Sequence, residues 1–149
     1  MYLTSDMPPY GTEDARSRDS LKAVRETMSV VSEPGAPRYE AAGLTVTGSD
    51  LPGDVAVVHA VGEVDLATAA ILVTAIDDAL DNKPAELVVD LTGVGFFGSV
   101  GIGALIEANR RAKNPLRVVV TPAIRRLIDI VGLSDVLSLY DRLDEAGQS

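Results

Sequence analysis

Residues 86–103 constrain the fold of this chain more than any other stretch. The stretch opens with Glu-Leu-Val-Val-Asp, whose consecutive apolar residues are typical of a strand buried on both faces. A tight polar turn and two aromatics, Phe96 and Phe97, follow, and Ser99 then begins a helix behind Gly98. A hydroxyl there lies among backbone N–H groups without intrahelical acceptors, at the positive end of the helix dipole. The stretch therefore predicts a strand–helix junction that can accommodate a phosphate group.

The apolar pattern from about residue 43 onwards predicts an α/β fold. Predicted strands occupy residues 44–47, 55–62, 87–89, 116–120 and 136–140. Between them, apolar residues at helical spacing predict three helices that begin near Asp65, Ser99 and Thr121. Asp65 and Thr121 are residue types that cap helices, and Pro122 suits a first helical turn. The predicted order is β-β-α-β-α-β-α-β, a mixed sheet packed with helices.

Residues 1–40 differ in composition from the remainder of the chain. They hold four prolines, many hydroxyls and mixed charges, which predicts a mobile, partly disordered extension before a folded domain at residues 41–149. Within the extension, residues 20–31 are compatible with a short helix that has a narrow apolar stripe. Three interpretations stay open: a helix that forms only when docked, a segment that binds a partner or its own domain, and synthesis that starts at Met28.

The formal net charge of -9 restricts the partners of this chain. An acidic chain lacks the field needed for nonspecific nucleic-acid binding and is repelled by anionic membranes. No apolar run approaches the roughly 20 residues of a membrane span, and the N-terminus lacks the regions of a signal peptide. We therefore predict a cytoplasmic protein that binds neither nucleic acid nor membranes, and that suits basic partner surfaces.

Residues that carry most catalytic and metal chemistry are scarce in this sequence. The absence of cysteine excludes disulfides, zinc–thiolate sites and cysteine catalysis. The single histidine, His59, lies in a predicted strand, where we expect it to be packed or hydrogen-bonded rather than catalytic. One histidine also leaves little room for a metal site or a Ser-His-Asp triad. We therefore predict a protein that is not an enzyme and that has no metal or other cofactor.

Residues 93–98, Gly-Val-Gly-Phe-Phe-Gly, match the glycine pattern of dinucleotide-binding loops. Such folds also place an acidic residue at the end of the following strand, where this chain has Val120, Thr121 and Pro122. The bulky Phe96 and Phe97 suit anchoring in the core better than a pyrophosphate cradle. A small nucleotide-binding protein therefore stays open as an alternative function.

Three stretches of the chain resemble the STAS domain family, which includes anti-sigma factor antagonists and the cytoplasmic ends of sulphate transporters. These stretches are residues 62–65, residues 90–94 with 97–103, and residues 122–127 with 131–133. They occur in the family's order and at suitable spacing, and the resemblance covers roughly residues 43–142. It implies the STAS fold. Because no transporter segment is present, the antagonist branch is the nearer relative.

The resemblance implies partner switching as the function. In that branch, an unphosphorylated antagonist binds an anti-sigma factor with a histidine-kinase-like ATP fold, and the sigma factor is released. The anti-sigma factor also acts as the kinase that phosphorylates the antagonist at the start of the second helix, which ends binding. A phosphatase then resets the switch. By resemblance, the partner surface of this chain comprises Glu63, Asp65, Gly98, Val100, Gly101 and Ile102.

The acceptor motif departs from the family pattern. The family commonly has Asp-Ser-Ser/Thr-Gly with the second hydroxyl as acceptor, whereas this chain has Gly98, Ser99, Val100 and Gly101. Either Ser99 is the phosphoacceptor from the adjacent position, or the chain is not phosphorylated there. The second alternative also suits a STAS scaffold subunit of a sensory or lipid-transport complex. Ser99 is in addition a candidate N-cap, a role worth ~1 kcal/mol of helix stability.

Overall fold

Seven strands form one sheet in the computed structural model, which describes residues 31–33, 36–41 and 43–148. The strands are β1 (Val31–Glu33), β2 (Ala36–Ala41), β3 (Leu44–Leu51), β4 (Val55–Val64), β5 (Glu86–Phe97), β6 (Arg117–Val119) and β7 (Ser138–Tyr140). The helices are α1 (Ala69–Asp81), α2 (Ser99–Arg111), α3 (Pro122–Ile130) and α4 (Leu143–Ala146). In this described part of the chain, no helix combines the length and hydrophobicity needed to cross a bilayer.

The strands lie across the sheet in chain order. The pairings from β1 to β4 are antiparallel, and those from β4 to β7 are parallel. Each parallel step contains one helix, because two parallel neighbours can be joined only by a crossover connection. The predicted order of elements is confirmed from β3 to β7, and the predicted mixed sheet is confirmed with it.

The sheet begins before the predicted domain boundary at residue 41. Strand β2 lies almost wholly inside the segment, residues 1–40, that the composition predicts to be mobile. It pairs with β3 of the folded domain. Its Tyr39 is buried and its hydroxyl donates to Asp78 of α1. A strand with a single large buried side chain shows almost no hydrophobic alternation, so the sequence carries little sign of it. The helix suggested for residues 20–31 lies outside the described residues, apart from Val31 in β1.

The two faces of the sheet are covered unequally. Along β4, Ala56, Val58 and Ala60 belong to the main core, which also takes in the inner faces of α1, α2 and α3. The alternate residues Val55 and Val57 lie in a smaller cluster under α4. Since α4 has only four residues, no helix among the described residues covers most of this second face, which also carries polar and exposed side chains.

Strand β5 is much longer than the sequence predicts. The expected strand ends at residue 89 before a polar turn, but β5 continues through that turn to Phe97. The reason is that β5 keeps pairing with β4 across two register shifts, which bring Gly93 beside Val61 and Phe97 beside Val64. The glycine pattern of residues 93–98 therefore lies almost wholly within a paired strand, not in a loop open to a pyrophosphate.

Helix α3 begins as its sequence predicts. Thr121 is the N-cap, its hydroxyl oxygen accepts from the N–H of Ile124 at 3.2 Å, and Pro122 follows in the first turn. Ile124 and Ile128 are buried on its inner face, whereas Val131 lies beyond the end of the helix and is exposed.

An ion-pair cluster joins the last turns of α1 and α2. Arg111 contacts both Asp77 and Asp81, which explains acidic residues that oppose the dipole at the end of α1. Burial raises the pKa of Asp77 above its usual range, although Arg111 lowers it in part. The cluster ties the two helices together on one side of the sheet, away from the start of α2.

Candidate functional site

The ends of β4 and β5 bring most of the predicted site together. Val64 and Phe97 are neighbours in the sheet, and the backbone N–H of Gly98 donates to the carbonyl of Val64 at 2.8 Å. That bond fixes the start of α2 beside the corner that follows β4. Glu63, Asp65 and Ser99 therefore converge on one end of the sheet, although more than 30 residues separate Ser99 from the other two in the chain.

Ser99 is the first residue of α2 and is exposed. The N-cap prediction for Ser99 is wrong by one residue, since the N-cap is Gly98, which has an extended backbone. Residues from Ser99 onwards already have helical geometry, so this hydroxyl projects from the first turn. The amides of a first turn lack intrahelical acceptors, which makes it a favourable place for an anionic group.

Asp65 shapes the corner before α1 rather than capping that helix directly. Its carboxylate accepts from the N–H groups of Ala67 and Thr68 at 2.9 and 3.1 Å. Helix α1 begins only at Ala69, with Thr68 as its N-cap, so the predicted cap lies three residues too early. The Thr68 hydroxyl donates to the carbonyl of Glu63 at 2.7 Å. These bonds hold the corner in shape and leave the Glu63 side chain exposed.

Two predicted contact residues, Gly101 and Ile102, are buried. Ile102 is 8% exposed and belongs to the main core. A Cβ at Gly101 would stand 2.6 Å from the ring of Phe97, so this glycine allows the helix to lie on the ring. Both residues position α2 on the sheet. That they contact a partner therefore stays a prediction, while Gly98 and Val100 are partly accessible in the isolated chain.

Large apolar side chains are exposed at the same end of the sheet. Leu66 is 85% exposed, Val61 58% and Phe96 54%. None belongs to the predicted contact residues, and the expected place of Phe96 in the core is wrong. Successive strand residues face opposite sides, so the pair Phe96-Phe97 itself signals that only one ring can be buried. We define the junction surface as Glu63, Leu66, Phe96 and Ser99.

Two glycines of α2 are expected to respond oppositely to replacement by alanine. Gly103→Ala places a methyl group where nothing lies within 4 Å, and we expect a gain of about 0.5–1 kcal/mol from helix propensity. Gly101→Ala should cost about 1–3 kcal/mol, because its methyl group overlaps the buried Phe97 ring. Urea denaturation followed by circular dichroism measures both. Equal effects of the two changes would contradict the close contact of α2 with Phe97.

Known proteins similar to this chain share its fold and part of its sequence. The anti-sigma-F factor antagonist RsfB of Mycobacterium tuberculosis is 38% identical over 106 residues, covering 69% of this chain and 86% of RsfB. The crystal structure of an anti-sigma factor antagonist from Mycobacterium paratuberculosis superposes with a TM-score of 0.66 at 35% identity, covering 78% and 95% of the two chains.

The fold extends to more distant proteins. The unphosphorylated anti-sigma factor antagonist SpoIIAA superposes with a TM-score of 0.54 at 14% identity, covering 67% of this chain and 91% of SpoIIAA, a likeness of fold alone. Residues 50–146 match the STAS domain, a span that includes the corner after β4, the whole of β5 and α2, and the parallel half of the sheet. With more than half of its length matched, this chain belongs to the STAS domain family.

Proposed function

We propose that this chain is an anti-sigma factor antagonist, which binds an anti-sigma factor through the junction surface and so releases a sigma factor. The observation that carries the proposal is the exposed start of α2 at Ser99, at the same end of the sheet as the exposed apolar side chains of Phe96 and Leu66. A relative that is 38% identical is named an anti-sigma-F factor antagonist, which supports this function. The partner is an anti-sigma factor with a histidine-kinase-like ATP fold.

The composition of the junction surface suits a specific protein contact. Interface cores are enriched in aromatic side chains, and the half-exposed ring of Phe96 offers such an anchor, while the exposed Leu66 adds apolar area at the same end of the sheet. Glu63 is a charged neighbour, since it pairs with Phe96 across the two strands. With a net charge of -9, the chain favours a partner surface that is basic around an apolar centre.

Phosphorylation of Ser99 would act on the partner contact more than on the fold. A phosphate adds about -1.5 to -2 charges at pH 7. At the first position of α2 this charge is compatible with the helix dipole, so the folded state tolerates it. In an interface beside Phe96 and Glu63, however, the same charge must lose its water and repel its neighbours. We infer that a phosphatase restores the binding form.

Replacement Ser99→Glu is expected to separate binding from stability. We expect about tenfold weaker binding to the anti-sigma factor, within the usual range of such couplings. The stability of the chain should stay equal or rise by about 0.3–1 kcal/mol, because the new carboxylate lies at a helix N-terminus. Isothermal titration calorimetry measures the first quantity and thermal denaturation the second.

Ala123→Glu is the matched control for this experiment. Ala123 is exposed in the first turn of α3, so the variant adds the same charge in the same helical setting but away from the junction surface. It should bind like wild type. Equal binding by both variants would contradict the switch at Ser99, whereas absence of binding by the wild-type chain would contradict the antagonist function itself.

A kinase assay tests whether Ser99 itself takes the phosphate. Incubation with the anti-sigma factor and ATP should add one phosphate, which peptide mapping should place on Ser99 and Ser99→Ala should abolish. Val100 occupies the family's usual acceptor position, so the absence of phosphate on Ser99 would also be an informative result. Tight binding without any phosphate on Ser99 would leave an antagonist that is not switched at this site.

A further inference from the structure

Three polar side chains form a linear hydrogen-bonded array on the open face of the sheet. The Ser49 hydroxyl lies 3.1 Å from Nε2 of His59, and Nδ1 of the same ring lies 3.1 Å from Oδ2 of Asp90. The three residues belong to the adjacent strands β3, β4 and β5. The expectation that His59 is hydrogen-bonded is confirmed, and its two partners are the residue types of a Ser-His-Asp arrangement.

The bonds around Asp90 determine the direction of the array. Its other oxygen, Oδ1, accepts from the backbone N–H and the hydroxyl of Thr92 at 3.0 and 2.7 Å. Burial raises the pKa of Asp90, but the hydrogen bonds from His59 and Thr92 outweigh burial and hold it below its usual value. Asp90 is thus a carboxylate and accepts only, so Nδ1 of His59 donates to it. In the neutral imidazole, Nε2 is then the acceptor for the Ser49 hydroxyl.

This polarity is the one that activates a serine for nucleophilic attack. A base within hydrogen-bond reach of the hydroxyl, itself oriented by a third group, is the common feature of such sites. We propose that Ser49 is a nucleophile that accepts an acyl group from carboxylic esters, with His59 as its general base and Asp90 as the residue that positions His59. This site is separate from the junction surface and does not depend on the function proposed for it.

The array is accessible from solvent. The His59 side chain is 28% exposed and that of Asp90 13%, so the carboxylate is the more deeply buried of the two, and Ser49 is half-buried. Val61 is 58% exposed on the same face, two residues further along β4, or about 7 Å at the usual strand rise. It offers an apolar support for the acyl chain of a small ester.

The acyl transfer is balanced by groups within the array and the substrate. Ser49 Oγ forms a bond to the acyl carbon while its proton moves to Nε2 of His59. The ester C–O bond breaks, and the leaving alkoxide takes that proton from His59. Water then attacks acyl-Ser49, gives a proton to His59, and the Ser49 oxygen recovers it as the carboxylic acid leaves.

A fluorophosphonate probe tests the nucleophile directly in the full-length protein. Attack by Ser49 forms an O–P bond and expels fluoride, so intact mass should rise by one adduct and peptide mapping should place it on Ser49. Ser49→Ala should abolish the adduct. His59→Gln should slow its formation about 100-fold or more, because it removes the general base. Asp90→Asn should also slow it, since the imidazole then loses the carboxylate that sets its tautomer.

Ser134→Ala is the matched control. The Ser134 hydroxyl donates directly to Asp129 without an intervening histidine, and this variant should label at the wild-type rate. Circular dichroism of every variant separates lost reactivity from lost folding. Labelling of Ser49 at the same rate in His59→Gln, labelling at other serines only, or no labelling of the wild-type chain would each overturn the proposal. Hydrolysis of p-nitrophenyl butyrate that Ser49→Ala abolishes would extend it to full turnover.

Discussion

Gly62→Ala is expected to destabilise the fold by about 3 kcal/mol or more. Gly62 has a φ of +125°, which only glycine adopts without strain, and a Cβ there would overlap the carbonyl oxygen of Gly43. That carbonyl accepts from the N–H of Glu63 at 3.1 Å, so neither strand can move aside without breaking the bond. We expect the melting temperature to fall by about 15 °C in a domain of this size.

Gly95→Ala is the control for the effect of an added methyl group in the same region. A Cβ at Gly95 would stand 4.0 Å from the nearest atom, the carbonyl oxygen of Gly62, which is ordinary contact. Gly95→Ala should change the free energy of unfolding by no more than about 0.5 kcal/mol. Thermal denaturation followed by circular dichroism compares the two variants. A Gly62→Ala protein as stable as wild type would show that β3 and β4 do not approach each other this closely.

Phe96→Ala is expected to weaken binding to the anti-sigma factor about 30-fold, or about 2 kcal/mol. The ring is 54% exposed in the isolated chain, so its removal should change folding stability little. In a complex, the ring would be buried at the centre of the contact between Glu63 and the start of α2. Calorimetric titration of the anti-sigma factor gives the change in affinity directly.

Ile130→Ala is the comparison for this experiment. Ile130 is 73% exposed, at the end of α3 and outside the junction surface. The Ile130→Ala variant should bind the anti-sigma factor like wild type, because it removes an exposed apolar side chain that lies outside the junction surface. If Ile130→Ala weakened binding and Phe96→Ala did not, the contact would lie at α3, and the proposed binding surface would have to be abandoned.

The order of elements from β3 to β7 is predictable because each signal is local. Periods of two and 3.6 residues, and the Thr121-Pro122 start of α3, arise within single elements and do not depend on distant partners. Strand β2 and the second half of β5 carry no such signal. Both exist because a neighbouring strand supplies their hydrogen bonds, and a pattern read along one segment does not report its neighbour.

The residues of the candidate site also divide into those that local sequence indicates and those whose position depends on packing. The sequence is sufficient to indicate Ser99, Glu63 and Asp65, because motif and position select them. It does not indicate that Gly101 and Ile102 are buried, since this depends on how α2 lies against Phe97. Which of Phe96 and Phe97 faces solvent likewise depends on the register between β4 and β5. Local sequence indicates candidate residues, and packing determines which of them are exposed.

By itself, the sequence determined the α/β class, the helix starts near Ser99 and at Thr121, and the likeness to the STAS family. Only the tertiary structure decided that Ser49, His59 and Asp90 meet. Ser49 and His59 are 10 residues apart in the chain, and His59 and Asp90 are 31 residues apart. The physical reason is that such contacts depend on the register of three strands, which the packing of the whole sheet fixes. Side chains far apart in the chain become neighbours only once that register is set.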